Sequence, residues 1–147
     1  MRLGEESDFK AIVQICDRYE ARAVWEEAVP FLQAALDRGI GDLTLEDLQD
    51  ACYRGAAALL IFTGRYAEVV GAAVTQLLKH PDERTILQIL AYGGVGFETM
   101  RHCLAQVEED AKKKGAQAVM FHGRPGWSRV CAPMGYEVKQ VIMEKAL

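Results

Sequence analysis

The chain has 147 residues, 50% of them hydrophobic and 26% charged, a composition that buries a core and excludes a disordered or fibrous protein. Seventeen Lys and Arg against twenty-one Asp and Glu leave a formal charge of -4 and a pI near 5.4, which argues against nucleic acid as a partner and for small ligands or proteins. The longest apolar stretch, Ala56–Phe62, is too short to span a bilayer, and residues 1–10 lack a basic-then-apolar signal pattern, so a single cytoplasmic domain over 1–147 is expected, with no membrane partner.

Residues 1–6 can form a short strand, after which Ser7 or Asp8 offers a cap for a helix with Phe9, Ile12, Cys16 and Tyr19 on one face. A second, short helix is expected over Val29–Leu36, with Pro30 in its first turn and Gly39 and Gly41 as its stop. Thr44 and Asp47 resemble a capping box for a third helix, whose stripe of Leu45, Leu48 and Cys52 ends at Gly55.

The character then changes. Ala58–Phe62 and Glu68–Leu78 are apolar runs separated by Thr63-Gly64-Arg65-Tyr66, and a second turn at His80-Pro81-Asp82-Glu83 leads into Thr85–Leu90. The pattern predicts an antiparallel meander of three strands. It stops at Gly93-Gly94-Val95-Gly96, and Phe97, Met100, Leu104, Val107 and Ala111 then repeat at helical spacing, with Lys112–Lys114 at the carbonyl end of the dipole. Gly115 ends this helix; a strand over Ala116–Phe121, a short helix over Trp127–Ala132 and a last strand over Glu137–Glu144 complete the chain.

The four cysteines, Cys16, Cys52, Cys103 and Cys131, make no Cys-x-x-Cys pair and have no histidine at ligand spacing. Reduced thiols are expected, and no metal.

A strand that feeds a glycine turn into a helix gathers unpaired amides and the positive end of the helix dipole at one place, where a pyrophosphate can sit. A dinucleotide fingerprint starting at Gly94 needs glycine where Thr99 stands, and no Gly-Lys-Ser/Thr exists for a P-loop. Considered alone, Gly93–Gly96 reads first as a tight strand-to-helix turn, and the order of elements decides between the two.

The order of strand, helices, antiparallel meander, glycine loop, long helix, strand, short helix and strand resembles the GNAT superfamily of acyl-CoA-dependent N-acetyltransferases. That family's loop, a Gln or Arg, two residues, Gly, one residue, then Gly or Ala, is matched by Ala91-Tyr92-Gly93-Gly94-Val95-Gly96 in both glycines and not in the leading polar residue. Met134-Gly135-Tyr136 is similar to the family's Leu-Gly-Phe ending, and Arg124-Pro125-Gly126-Trp127 to a stretch in small GNAT-like proteins of tailed phages. The resemblance implies an α/β (α+β) fold with a mixed central sheet flanked by helices.

It also implies acetyl-CoA as co-substrate. The pyrophosphate would lie on the amides of Gly94, Val95, Gly96 and Phe97, the pantetheine arm beside the strand that carries Ile89, Leu90, Ala91 and Gly93, and the acetyl carbonyl against an amide near Ile89 or Leu90. An amine with a pKa of roughly 10.4 must lose a proton before it attacks. Glu26, Glu27 and Glu83 offer carboxylates, and His122 offers an imidazole near the point where the family's central strands part. Trp25 and Glu27 lie in the segment that lines the acceptor side. A tyrosine ahead of the Gly-Phe pair usually protonates the departing thiolate; Cys131 stands at that position, with Tyr92 and Tyr136 as substitutes, and Arg124 and Arg129 approach the CoA side.

Two functions are open at this level: direct transfer of acetyl to a small-molecule or peptide amine, and a catalytically degenerate GNAT scaffold that binds proteins. A sheet edge left by the meander and last strand also predicts a homodimer.

Overall fold

The computed structural model describes residues 11–94 and 96–147, apart from the side chains of Phe97 and Glu98. The expected opening strand over 1–6 lies outside them. Where a first helix was expected, the chain forms strand β1 (Ile12–Cys16) and then helix α1 (Arg18–Asp37). The cap of α1 is Asp17; the expected caps Ser7 and Asp8 lie outside the described residues. Its carboxylate accepts from the amides of Tyr19 at 2.9 Å and Glu20 at 2.8 Å, while Glu20 Oε1 accepts from the Asp17 amide at 3.1 Å, so the helix cannot begin earlier and the β-branched run before it stays extended.

Helix α1 runs twenty residues and absorbs the short helix expected at Val29. Pro30 is inside it, where it has no N–H to give the Glu26 carbonyl. Tertiary packing outweighs that loss: Ala21, Trp25, Ala28 and Leu32, spaced at four, three and four, are all buried against the sheet. Helix α2 (Leu45–Tyr53) starts as expected, with the Asp47 amide donating to Thr44 Oγ1 at 3.1 Å and the Thr44 amide to Asp47 Oδ2 at 3.0 Å.

The meander is present as β2 (Ala58–Thr63), β3 (Val69–Lys79) and β4 (Thr85–Gly94), the last four residues longer than its apolar run suggested. The extension follows from pairing, since Ala73, Ala72 and Gly71 on β3 oppose Tyr92, Gly93 and Gly94. Helix α3 (Phe97–Lys113) crosses over to β5 (Ala118–Phe121), which pairs parallel with β4. Sheet order is β1-β2-β3-β4-β5, antiparallel except for the last pair.

Alternation along β2 divides the core into two layers. Leu59 and Ile61 face α1 and α2, packing with Trp25, Leu32, Leu48 and Val74, while Leu60 and Phe62 face α3, packing with Cys103, Leu104 and Val107. After β5 come α4 (Pro125–Cys131) and a short 3-10 turn over Ala132–Met134. The expected last strand is absent: residues 137–147 are exposed and make no ladder. Strand-forming composition was not enough, because a strand exists only beside a partner.

Candidate active site

The site begins with a misalignment between two strands. Val74 on β3 opposes Ala91 on β4, but the next residue, Thr75, opposes Ile89, so Leu90 is an extra residue bulged out of the ladder. A one-residue bulge reverses the alternation. Leu87 and Ile89 accordingly face the α3 layer, while Ala91 faces the α1 layer. Strand β5 pairs with β4 only through Ile86↔Ala118 to Ile89↔Phe121. Beyond Leu90, from Ala91 to Gly94, β4 is paired on the β3 side alone, and the two parallel strands part after Ile89.

The parted segment leads directly into the glycine loop. Gly93 serves packing, since a Cβ there would lie 2.2 Å from the carbonyl oxygen of Phe31, where α1 crosses β4 backbone to backbone. Gly96 serves the turn. Its φ of 76° is left-handed, it stands at the N-cap of α3 with no side-chain cap, and a Cβ there would meet nothing nearer than Thr99 Oγ1 at 4.0 Å. Gly96 thus offers no side chain to cap the first-turn amides of α3.

On the α3 side, aromatic rings floor the split. Trp127 of α4 stands edge-on to Tyr92 of β4 at 6.4 Å and to Phe121 of β5 at 6.1 Å, bridging the two strands where they diverge. The Tyr92 hydroxyl donates to the Met100 carbonyl at 2.8 Å, and the Tyr136 hydroxyl to Glu108 Oε2 at 2.7 Å. Burial raises both phenols far above their usual pKa, so each stays protonated.

The expected site residues separate into those the fold brings to this mouth and those it removes. Ile89, Leu90, Ala91, Gly93, Gly94 and Gly96 line up along one strand and its exit; Val95 and the side chain of Phe97 lie outside the described residues. His122, exposed, is the first residue past β5, as Leu90 is the first past the paired part of β4. Trp25 is 3% exposed, in edge contact with Tyr53 at 5.9 Å, and belongs to the core layer under α1. Glu26 and Glu27 are exposed on the half of α1 opposite the buried stripe, turned from the sheet by the helical repeat. Glu83 sits in the β3–β4 turn, at the far end of β4 from the mouth.

Cys131 is buried at 2% exposure in the α3 layer, and burial raises its thiol pKa. Lys112 and Lys114 pair with Glu109 at 3.2 Å and Asp110 at 2.9 Å, a helix-end role. Arg124 is the N-cap residue of α4, and Arg129 lies in its last turn. Among the described residues no group of three or more His, Cys, Asp or Glu side chains could hold a metal, and no helix is long and apolar enough to cross a membrane. Two surface recesses, one containing Val13 and Gln106 and one containing Asp17 and Thr75, are lined by neither the free segment of β4 nor His122.

Sequence reading missed the Leu90 bulge, for which Ile-Leu-Ala carries no signal, and the bridging place of Trp127. No protein-family model matches the chain, and no curated protein matches it in sequence. Solved structures do match in shape. A variant of the Bacillus halodurans protein BH1408 superposes at TM-score 0.69 with 16% identity, covering 92% of this chain and 99% of that one. An aminoglycoside acetyltransferase from an uncultured soil metagenomic sample reaches TM-score 0.63 with 12% identity over 93% and 96%. A Trypanosoma brucei acetyltransferase reaches 0.60 with 11% identity over 93% and 99%. At these identities the likeness establishes the fold, which is that of the GNAT acetyltransferases.

Proposed function

We propose that the chain is an acetyltransferase that passes acetyl from acetyl-CoA directly to a primary amine. The observation that carries this reading is the continuous path from the Leu90 bulge, along the unpaired side of β4, to the uncapped start of α3. An extended pantetheine arm fits beside a strand whose outer hydrogen-bonding groups have no strand neighbour, and a pyrophosphate fits the amides of a first helical turn. Acetyl-CoA supplies the activated acyl group; the chain supplies alignment and polarisation.

A backbone amide at Leu90, displaced from the ladder, would stabilise the negative charge that develops on the acetyl oxygen as the amine attacks. His122, exposed and the first residue past β5, is the group this reading assigns to accept the amine's proton. The carboxylates of Glu26, Glu27 and Glu83 are too badly placed for that role. The Tyr92 hydroxyl, kept protonated by burial and bonded to the Met100 carbonyl, is the donor this reading assigns to the departing thiolate.

One observation favours the second reading, a scaffold without catalysis: Cys131 is buried and protonated where the family has a tyrosine. Isothermal titration with acetyl-CoA separates the two. Saturable binding by the wild type, lost in Gly96→Glu because a carboxylate then faces the pyrophosphate, supports the enzyme and leads to a thiol-release screen of primary amines. A folded wild type that takes up no acetyl-CoA removes the enzyme reading.

A further inference from the structure

One recess of the surface is built from side chains that the acyl-transfer reading leaves unused. Its volume is 540 Å³, inside the range of roughly 300–1,000 Å³ that small-molecule sites occupy. It lies where β1, β2, β3 and β4 meet the start of α1 and the C-cap residue of α3, Lys114. Its floor belongs to the α3 face of the sheet. Ile15 opposes Leu60, Thr75 opposes Ile89 and Leu77 opposes Leu87, and Leu60, Leu87 and Ile89 all pack in the α3 layer. Ile15 and Leu77 are nevertheless 40% and 43% exposed, so the helix of that layer does not cover them.

A polar group is sunk into this apolar floor. Thr75 is 1% exposed, the buried polar residue among the described ones, and it lines the recess. Its hydroxyl takes no hydrogen bond from the described residues. A buried hydroxyl of this kind is completed by a partner that enters from the open side.

The wall above it carries carboxylates with oxygens to spare. Asp17 gives Oδ1 to the amides of Glu20 at 2.8 Å and Tyr19 at 2.9 Å. Those bonds hold its carboxyl below the ordinary range, and Oδ2 is left over. Glu20 gives Oε1 to the Asp17 amide at 3.1 Å and shares Oε2 only with the Gln14 side chain, at 3.4 Å. The cations on the same rim are engaged. The Arg18 guanidinium lies over the Tyr19 ring at 4.9 Å and donates to its hydroxyl at 2.9 Å, and Lys114 Nζ is 2.9 Å from Asp110 Oδ2.

From these observations we infer that the recess is a second ligand site, one that takes an organic ammonium ion with an apolar body. The ammonium finds acceptors in Asp17, Glu20 and Thr75, and the body covers Ile15 and Leu77. An anion of the same shape meets two carboxylates, and a polyamine brings a further charge onto the apolar floor. The inference does not rest on acyl transfer, since the path from Leu90 to Gly96 lines no part of the recess.

Titration of the isotope-labelled full-length chain with n-hexylammonium, in the absence of acetyl-CoA and read amide by amide in nuclear magnetic resonance spectra, tests it. Saturable shifts are expected at Thr75, Leu77 and Lys114, and none with hexanoate. Asp17→Asn and Glu20→Gln each remove a charge and retain the oxygen that the α1 cap needs. Each should weaken binding about threefold, as loss of an exposed ion pair does, with circular dichroism unchanged. Thr75→Val should weaken it by a similar factor, and the two charge variants carry the test where that core change fails to fold. Shifts that do not saturate, equal shifts with hexanoate, or binding indifferent to both charge variants overturn the inference. So do shifts that gather at His122 and Gly126, which would put the ammonium at the split between β4 and β5.

Discussion

Gly93 and Gly96 stand three residues apart in one loop and are glycine for unrelated reasons. At Gly93 the demand is steric and internal: a methyl would sit 2.2 Å from the Phe31 carbonyl oxygen, backbone against backbone, with no flexible side chain to yield. Gly93→Ala should therefore cost about 1–3 kcal/mol, as overpacking does, seen as a lower urea midpoint at unchanged slope. Gly94→Ala, whose nearest atom would be the Val70 carbonyl oxygen at 3.3 Å, should cost less; equal midpoints would show that α1 does not cross β4 this closely. At Gly96 the demand is conformational, a positive φ with no atom within 4 Å nearer than Thr99 Oγ1. The sequence shows three glycines in the loop and cannot assign these reasons, because the atom that excludes a side chain at Gly93 is sixty-two residues away.

At the scale of the element, one capping rule gave one correct helix and one misplaced helix. Thr44 and Asp47 satisfy each other's amides, and α2 begins where the sequence indicates. Thr44→Ala should cost about 1 kcal/mol, the usual loss for a Thr cap, measurable as a drop in thermal midpoint with the Asp47 amide left exposed. Asp17 and Glu20 form the same box, yet Phe9, Ile12, Cys16 and Tyr19 also repeat at helical spacing and concealed it. Pairing decides the matter: each of Ile12 to Cys16 has an opposite number on β2, from Thr63 back to Leu59. The bulge at Leu90 is harder still to foresee. It is a property of two strands in register and belongs to neither sequence, although it reverses which face of β4 meets each layer.

For the whole molecule, the four thiols report how completely the two layers close. Burial pushes Cys16 up to about 11, with the charges of Glu20 and Asp17 adding to it, Cys52 up to about 12 and Cys103 up to about 11, and it raises Cys131 as well. Thiolates are the reactive form, so a disulfide reagent near neutral pH should titrate the four cysteines only after the protein unfolds. The same shifts set the alkaline limit of stability. Folded pKa values above the ordinary thiol value of 9.0 mean that the unfolded chain releases these protons first. Their contribution is complete below pH 9 and is lost as pH rises toward 11 and 12. The buried phenols of Tyr92 and Tyr136 act in the same direction. Thermal midpoints should fall across that interval; a flat profile would mean that the layers admit water.

What the sequence determined by itself is what neighbours along the chain decide. The period-two runs of the meander, the cap at Thr44, the stripe of α3 and the glycine break after β4 are all set within a few residues, and together they carried the order of elements that resembles the GNAT fold. What only the tertiary structure decided is which of those elements have partners. Pairing made β1 a strand, freed β4 from β5 after Ile89, put His122 just past β5, turned Glu26 and Glu27 outward, and left residues 137–147 exposed and outside the ladders of the described residues. Strand pairing and helix docking are contacts between distant parts of the chain, and no local pattern contains them.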